Sequence, residues 1–258
     1  MPQTVSKIIL ILSATLLMLS SCTQQKQLVY MRTVAADTAE IYNTPQPENY
    51  RIQQQDVLYI RIYTLDENVR AMLNPDEGGT SNQYNSEASL YVQGYVVNDS
   101  GQVTLPMVGE VPVVGKTIEE ATQAVKQKAT QYLKDATVIV KLLSFKFTVL
   151  GEVNRPGVYR NFNNQLTVLE AIGMAGDISD FGNRREVVVL RPSKSGTITY
   201  RLNLTDKNIL ESPAFFLLPN DMVYVEPIKS KIFQLNTGTI TLALSTISTL
   251  ILILNFIQ

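Results

Sequence analysis

One short pattern occurs twice in this chain and limits its fold more than any other feature. Gly109-Glu110-Val111 precedes Thr117-Ile118-Glu119-Glu120-Ala121, and Gly151-Glu152-Val153 precedes Thr167-Val168-Leu169-Glu170-Ala171. In a Thr-x-x-Glu box the threonine hydroxyl accepts from the backbone N–H three residues on, while the glutamate reaches back to the threonine N–H. Each box therefore marks a helix start. A second echo brackets the first: Gln55-Asp56-Val57-Leu58-Tyr59-Ile60 parallels Asn220-Asp221-Met222-Val223-Tyr224-Val225. Together they predict two related modules in tandem, with an inserted hairpin in the longer gap of the second copy. Hydrophobic residues at 45% against charged residues at 17% leave enough apolar area to bury a core.

Residues 45 to 229 read as mixed α+β. Val57 to Tyr63 alternates as a strand does, and residues 65 to 89, polar and broken by Asn74-Pro75 and Gly78-Gly79, predict a long loop. Leu90 to Val97 and Gln102 to Pro106 flank the turn residues Asn98-Asp99-Ser100-Gly101, which predicts a hairpin. Ile118, Ala121, Val125, Ala129 and Tyr132 recur at helical spacing, predicting about four turns. Strands over Thr137 to Leu142 and Phe145 to Leu150 follow. Pro156-Gly157 turns the chain, Gly176 ends a second, shorter helix, and strands over Val187 to Leu190, Ile198 to Leu202 and Met222 to Val225 complete the second module.

Lys and Arg number 22 against 23 Asp and Glu, so no strong field of one sign draws the chain to nucleic acid. The absence of His excludes His-dependent triads and His-ligated metals. A single Cys excludes intrachain disulfides and Cys-cluster sites. Paired carboxylates remain, but Glu119-Glu120 lie at a helix start, where acids favour the dipole, and Asp177 and Asp180 lie in a loop. No catalytic residue, cofactor or metal ligand is assigned, and an enzyme is not expected.

The two ends differ from the middle. Lys7 precedes the run Ile8 to Leu19, too short to span a bilayer but suited to a secretory h-region, and the run closes on Leu19-Ser20-Ser21-Cys22. That tetrapeptide resembles the bacterial lipobox. Residues 1–21 are expected to be a signal peptide, Cys22 an acylated anchor and residues 22–44 a linker. Thr23, where inner-membrane retention favours Asp, points to the outer membrane. After Lys231 the chain reaches Gln258 without a charged side chain. On a helical wheel Thr237, Thr241, Ser245, Ser248, Thr249 and Asn255 cluster on one side, with Ile240, Leu244, Ile247, Leu250 and Leu254 opposite. Residues 230–258 are therefore expected to form an amphipathic transmembrane helix. Its hydroxyl face would line a pore or pack against neighbours; a buried core helix and a disordered tail are the other readings.

Asp99-Ser100-Gly101-Gln102-Val103-Thr104-Leu105-Pro106-Met107-Val108-Gly109, followed by Gly115 to Ala121, resembles the polysaccharide export domain of Wza-type outer-membrane proteins. Val149 to Tyr159, through Ala175-Gly176-Asp177, resembles the SLBB domain, a β-grasp module that follows it in that family. Departures are Gln54-Gln55-Asp56 for Pro-Gly-Asp and Ala175-Gly176-Asp177 for Ala-Gly-Gly. The resemblance implies an α+β fold with an export domain over residues 45–143, one SLBB domain over residues 144–229, and the C-terminal transmembrane helix. It also implies a ring-shaped homo-oligomer, often of eight subunits, that exports capsular or exopolysaccharide through an α-helical barrel in the outer membrane. The globular domains would sit in the periplasm. The implied partner is an inner-membrane copolymerase of the chain-length-determinant type.

Within that picture Cys22 anchors, and Thr237, Thr241, Ser245, Ser248 and Asn255 line the pore or pack between helices. Asp56, Gly101, Pro106, Gly109, Gly151, Pro156, Gly157 and Gly176 read as turn and packing positions. Arg155, Arg184 and Arg185 read as solvated charges beside turns or as contacts with a partner subunit. The rival reading is a lipid-anchored periplasmic module that binds a ligand or scaffolds an envelope complex without a pore.

Overall fold

The computed structural model describes residues 29–32, 41–47, 49–74, 94–163, 165–193, 195–229, 231, 241–242, 244–250 and 252–253. Both capping boxes form. Thr117 N donates to Glu120 Oε2 at 2.9 Å and Glu120 N to Thr117 Oγ1 at 3.2 Å; Thr167 N donates to Glu170 Oε2 at 2.7 Å and Glu170 N to Thr167 Oγ1 at 3.2 Å. They open α2 (Ile118–Ala129) and α3 (Val168–Met174). In α2 the residues Ala121, Val125 and Ala129, four apart, form the buried stripe. The helix stops at Ala129, and Tyr132 is exposed.

The first core is built on β1 (Val57–Tyr63), flanked antiparallel by β2 (Tyr95–Val96) and β5 (Thr137–Leu142). β3 (Gln102–Leu105) and β4 (Gly109–Pro112) form a separate ladder, and a short helix α1 (Glu67–Leu73) follows β1. The expected hairpin is present at its turn, closed by Asn98 N donating to Gln102 O at 2.9 Å, but not as a ladder of its two strands, and residues 90–93 of its first arm lie outside the described residues. The Asn98 to Gly101 turn is present, with Gly101 N donating to Asn98 O at 2.9 Å, but β2 pairs with β1 and β3 pairs with β4. The Gly101 carbonyl accepts from Val113 N at 2.9 Å and Val114 N at 3.1 Å, which draws the outgoing strand toward β4.

The second core lies against a five-stranded sheet of order β7-β6-β10-β8-β9, built from β6 (Lys146–Gly151), β7 (Gly157–Arg160), β8 (Gly182–Ser193), β9 (Gly196–Leu202) and β10 (Met222–Pro227). β10 runs parallel to β6 and antiparallel to β8. Phe147, Val149, Val187, Val189, Val223 and Val225 alternate onto one face and meet Val168, Ala171 and Ile172 of α3. Leu142, at the end of β5, packs against both cores, so the modules adjoin across the short link to β6. Arg184 and Arg185, expected beside a turn, lie within β8, which begins five residues earlier than Val187.

The expectation of a C-terminal transmembrane helix is corrected. Among the described residues no helix is long and apolar enough to cross a membrane. The described residues 241–242, 244–250 and 252–253 are helical and exposed. Ser245 Oγ donates to Leu242 O at 2.8 Å and Thr249 Oγ1 to Ser245 O at 2.7 Å, so these hydroxyls bond their own helix backbone. Such back-bonding and the β-branched Ile and Thr of this run lower helix stability below what hydrophobicity alone suggests. Thr241, Ser245 and Ser248 belong to these stretches; Thr237 and Asn255, like Cys22, lie outside the described residues.

Candidate functional site

The Gln55-Asp56 and Asn220-Asp221 echo is a shared turn. Gln55 (φ 67°) and Asn220 (φ 68°) both take the left-handed conformation, and the following aspartates are buried. Gln53 N donates to Asp56 Oδ2 and Leu218 N to Asp221 Oδ2, each at 2.8 Å. Each carboxylate thus caps the turn that launches its strand. Their remaining partners differ. Asp56 accepts from Tyr50 Oη at 2.9 Å and Ser144 Oγ at 2.8 Å, tying the first module to the intermodule link. Burial, then the nearby Asp56 charge, raise the Tyr50 phenol far above the usual tyrosine range and keep it a donor. Asp221 instead receives the Arg191 guanidinium, with Nε at 3.2 Å from both oxygens and Nη2 at 2.9 Å, in a pair almost wholly removed from solvent.

The Asp56 turn borders a cleft of about 420 Å³ at the junction of the modules, lined by Tyr50, Gln53, Ser144, Lys146, Arg160 and Asn220 among others. Lys146 and Arg160 face each other directly across the β6–β7 ladder, and Asn220 N donates to Lys146 O at 2.7 Å. Among the described residues no ion pair joins Lys146. The cleft therefore offers side-chain amides and the Lys146 ammonium as donors, which suits a polar ligand better than an apolar one, while the Tyr50 and Ser144 hydroxyls are spent on Asp56. Among the described residues no cluster of acids, His or Cys could hold a metal ion.

The residues singled out in the sequence fall in several places. Asp56 alone of them lines the cleft. Gly101, Gly109, Gly151 and Gly176 all have positive φ, Pro106 precedes Met107 at φ 60°, and Pro156 leads into Gly157, which pairs with Val149. Arg155 and Arg185 are exposed. Arg184 is buried: its Nη2 donates to Ile178 O at 3.3 Å and sits 3.9 Å from Asp177 Oδ2, and its guanidinium lies over the Tyr30 ring. Tyr50, Ser144, Lys146, Arg160, Arg191 and Asp221 were not singled out. The turn echo was the available signal for Asp221; Ser144 meets Asp56 across 88 residues, which no local pattern displays.

A second polar cluster ties the segments that precede and follow the two modules to one side of the second module. Met31 N donates to Leu204 O and Arg32 N to Thr205 O, each at 2.9 Å, while Tyr30 Oη donates to Asp177. Burial, then the Asp177 bond, raise the Tyr30 phenol above its usual range. Lys231 donates to Glu152, whose carboxyl this bond holds below the usual range. The two attachment loops are joined by the Val153–Ile178 bridge.

Two adjoining α+β modules with a polar junction and a strapped N-terminal segment define a tandem two-domain protein. Residues 44–143 match the family described as polysaccharide biosynthesis/export protein, and residues 145–225 match the SLBB domain. The chain belongs to the Wza-type polysaccharide export proteins, a family of export proteins and not of enzymes. It is 30% identical over 190 residues to the EPS I polysaccharide export outer membrane protein EpsA of Ralstonia solanacearum, covering 71% of this chain and 50% of the relative. The protein of the same name from Ralstonia nicotianae is 30% identical over 154 residues, covering 58% and 40%. The exopolysaccharide production protein ExoF of Rhizobium meliloti is 36% identical over 96 residues, covering 35% and 23%. The chain spans half or less of the length of these relatives.

Proposed function

We propose that this protein is an outer-membrane lipoprotein that exports capsular or exopolysaccharide. In this reading it assembles as a ring-shaped homo-oligomer around the glycan's path and meets an inner-membrane copolymerase of the chain-length-determinant type. The observation that carries the reading is the export domain and SLBB domain matched in series over adjoining cores, in a chain similar to proteins named for polysaccharide export. The strap supports an anchor at Cys22. Eight residues separate Cys22 from Tyr30, a reach of at most about 28 Å, so an acylated Cys22 keeps the Asp177 side of the second module near the membrane. The first module then lies on the periplasmic side.

Deletion of the gene is expected to abolish surface polysaccharide, and wild-type expression to restore it. Cys22→Ala, which removes the only acylation site, is expected to leave the protein unanchored and restore little. Unchanged surface polysaccharide in the deletion strain would overturn the export reading.

A further inference from the structure

We infer that the N-terminal strap is a reversible latch, opposed by the arginine it covers, and that it gives the membrane tether two lengths. The latch stands on the geometry of the strap; its consequence for the tether rests on the acylated Cys22 of the reading above. Backbone bonds from Met31 N to Leu204 O and from Arg32 N to Thr205 O close the strap, together with the Tyr30 hydroxyl on Asp177. Its docking edge is fixed to β8, since Leu204 N donates to Arg184 O at 2.8 Å. Closing lays the Tyr30 ring over the Arg184 guanidinium, whose carbon is 5.3 Å from the ring centroid.

That placement has an opposing cost. The Arg184 side chain is only 10% exposed, and although Nη2 reaches Ile178 O at 3.3 Å, its Nε and Nη1 are buried and meet no acceptor among the described residues. Asp177 Oδ2, at 3.9 Å, is beyond hydrogen-bond reach, and its Oδ1 accepts from Tyr30 and from Ile178 N. A guanidinium does not give up its charge, so under the ring these donors lose water and gain nothing. Arg191, on the same strand and equally buried, is the contrast: its three nitrogens are all engaged, by Asp221 and by the carbonyls of Pro213 and Phe216. Arg191 holds the fold together, whereas Arg184 is rehydrated when the strap lifts. Closed, the tether runs the eight residues from Cys22 to Tyr30, at most about 28 Å; open, it runs to Tyr42, whose ring lies 5.3 Å from the Lys207 ammonium, at most about 70 Å. Opening lets the body stand farther from the membrane with its anchor unchanged.

The test is hydrogen–deuterium exchange of the full-length protein in detergent, read by mass spectrometry in peptides that cover Met31 and Arg32 and, as the internal standard, β10. In the wild type the strap amides are expected to exchange about a hundredfold or more faster than those of β10. Arg184→Met keeps an apolar chain beneath the ring and removes the unpartnered charge, and is expected to slow strap exchange about tenfold while β10 stays protected. Asp177, its side chain 53% exposed, remains solvated in that variant. Tyr30→Phe keeps the ring and loses the Asp177 bond, and is expected to speed strap exchange about fivefold. Wild-type strap amides as slow as β10 would overturn the latch, and so would unchanged exchange in Tyr30→Phe. Unchanged or faster strap exchange in Arg184→Met, or loss of β10 protection there, would overturn it as well, because each marks Arg184 as a hydrated or fold-holding residue. All of these results leave the export reading intact, because that reading falls only if gene deletion spares the surface polysaccharide.

Discussion

Gly151 shows how one atom decides a junction. With φ at 87°, a Cβ there would lie 2.1 Å from the Val225 carbonyl oxygen, at the point where β6 and β10 run parallel. Gly109 has a similar φ of 79° but nothing within 4 Å of the same position. Gly109→Ala should cost only the left-handed penalty, about 1–2 kcal/mol. Gly151→Ala adds a backbone clash that the parallel pairing cannot relieve, and should cost about 3 kcal/mol or more. Denaturant unfolding of the two variants measures the difference; equal losses would mean that the β6–β10 contact is looser than described. Both glycines stood out in the sequence as turn positions, but only the packing separates them. The same holds for Arg184. As half of an Arg-Arg pair it read as a solvated charge, and the inward phase of β8 buries it under Tyr30.

At the scale of elements, what could be read was local chemistry with a fixed offset. Both capping boxes and the strand β5 obey rules that span three to six residues, and each formed as the spacing implies. The ladder of the hairpin before Gln102 did not, because the choice of β4 over β2 depends on hydrogen bonds from Val113 and Val114 beyond the next turn. The C-terminal run differs for another reason: its apolar length was legible, but among the described residues no helix is long and apolar enough to cross a membrane, and its hydroxyls bond their own backbone. The echoed Asp turns were visible as a repeat, yet their partners come from distant elements. Arg191 of β8 reaches across to Asp221 at the start of β10, making a buried clamp between adjoining strands. Asp221→Asn leaves the guanidinium buried and uncompensated, and is expected to cost about 3–5 kcal/mol. A loss below about 1 kcal/mol in chemical denaturation would show that water reaches the pair.

For the whole molecule, the two modules meet at a junction where Leu142 joins the cores, Asp56 holds the link, and the cleft opens between Gln53 and Asn220. The chain's N-terminal strap and Lys231 fasten to the opposite loops of the second module, around the Val153–Ile178 bridge. On the reading proposed above, a protein of this build guides a polysaccharide outward only if copies assemble around its path. Electron microscopy of negatively stained, detergent-extracted full-length protein tests that most directly. The account predicts closed rings with a central opening; single particles that stay monomeric at every concentration examined would contradict it.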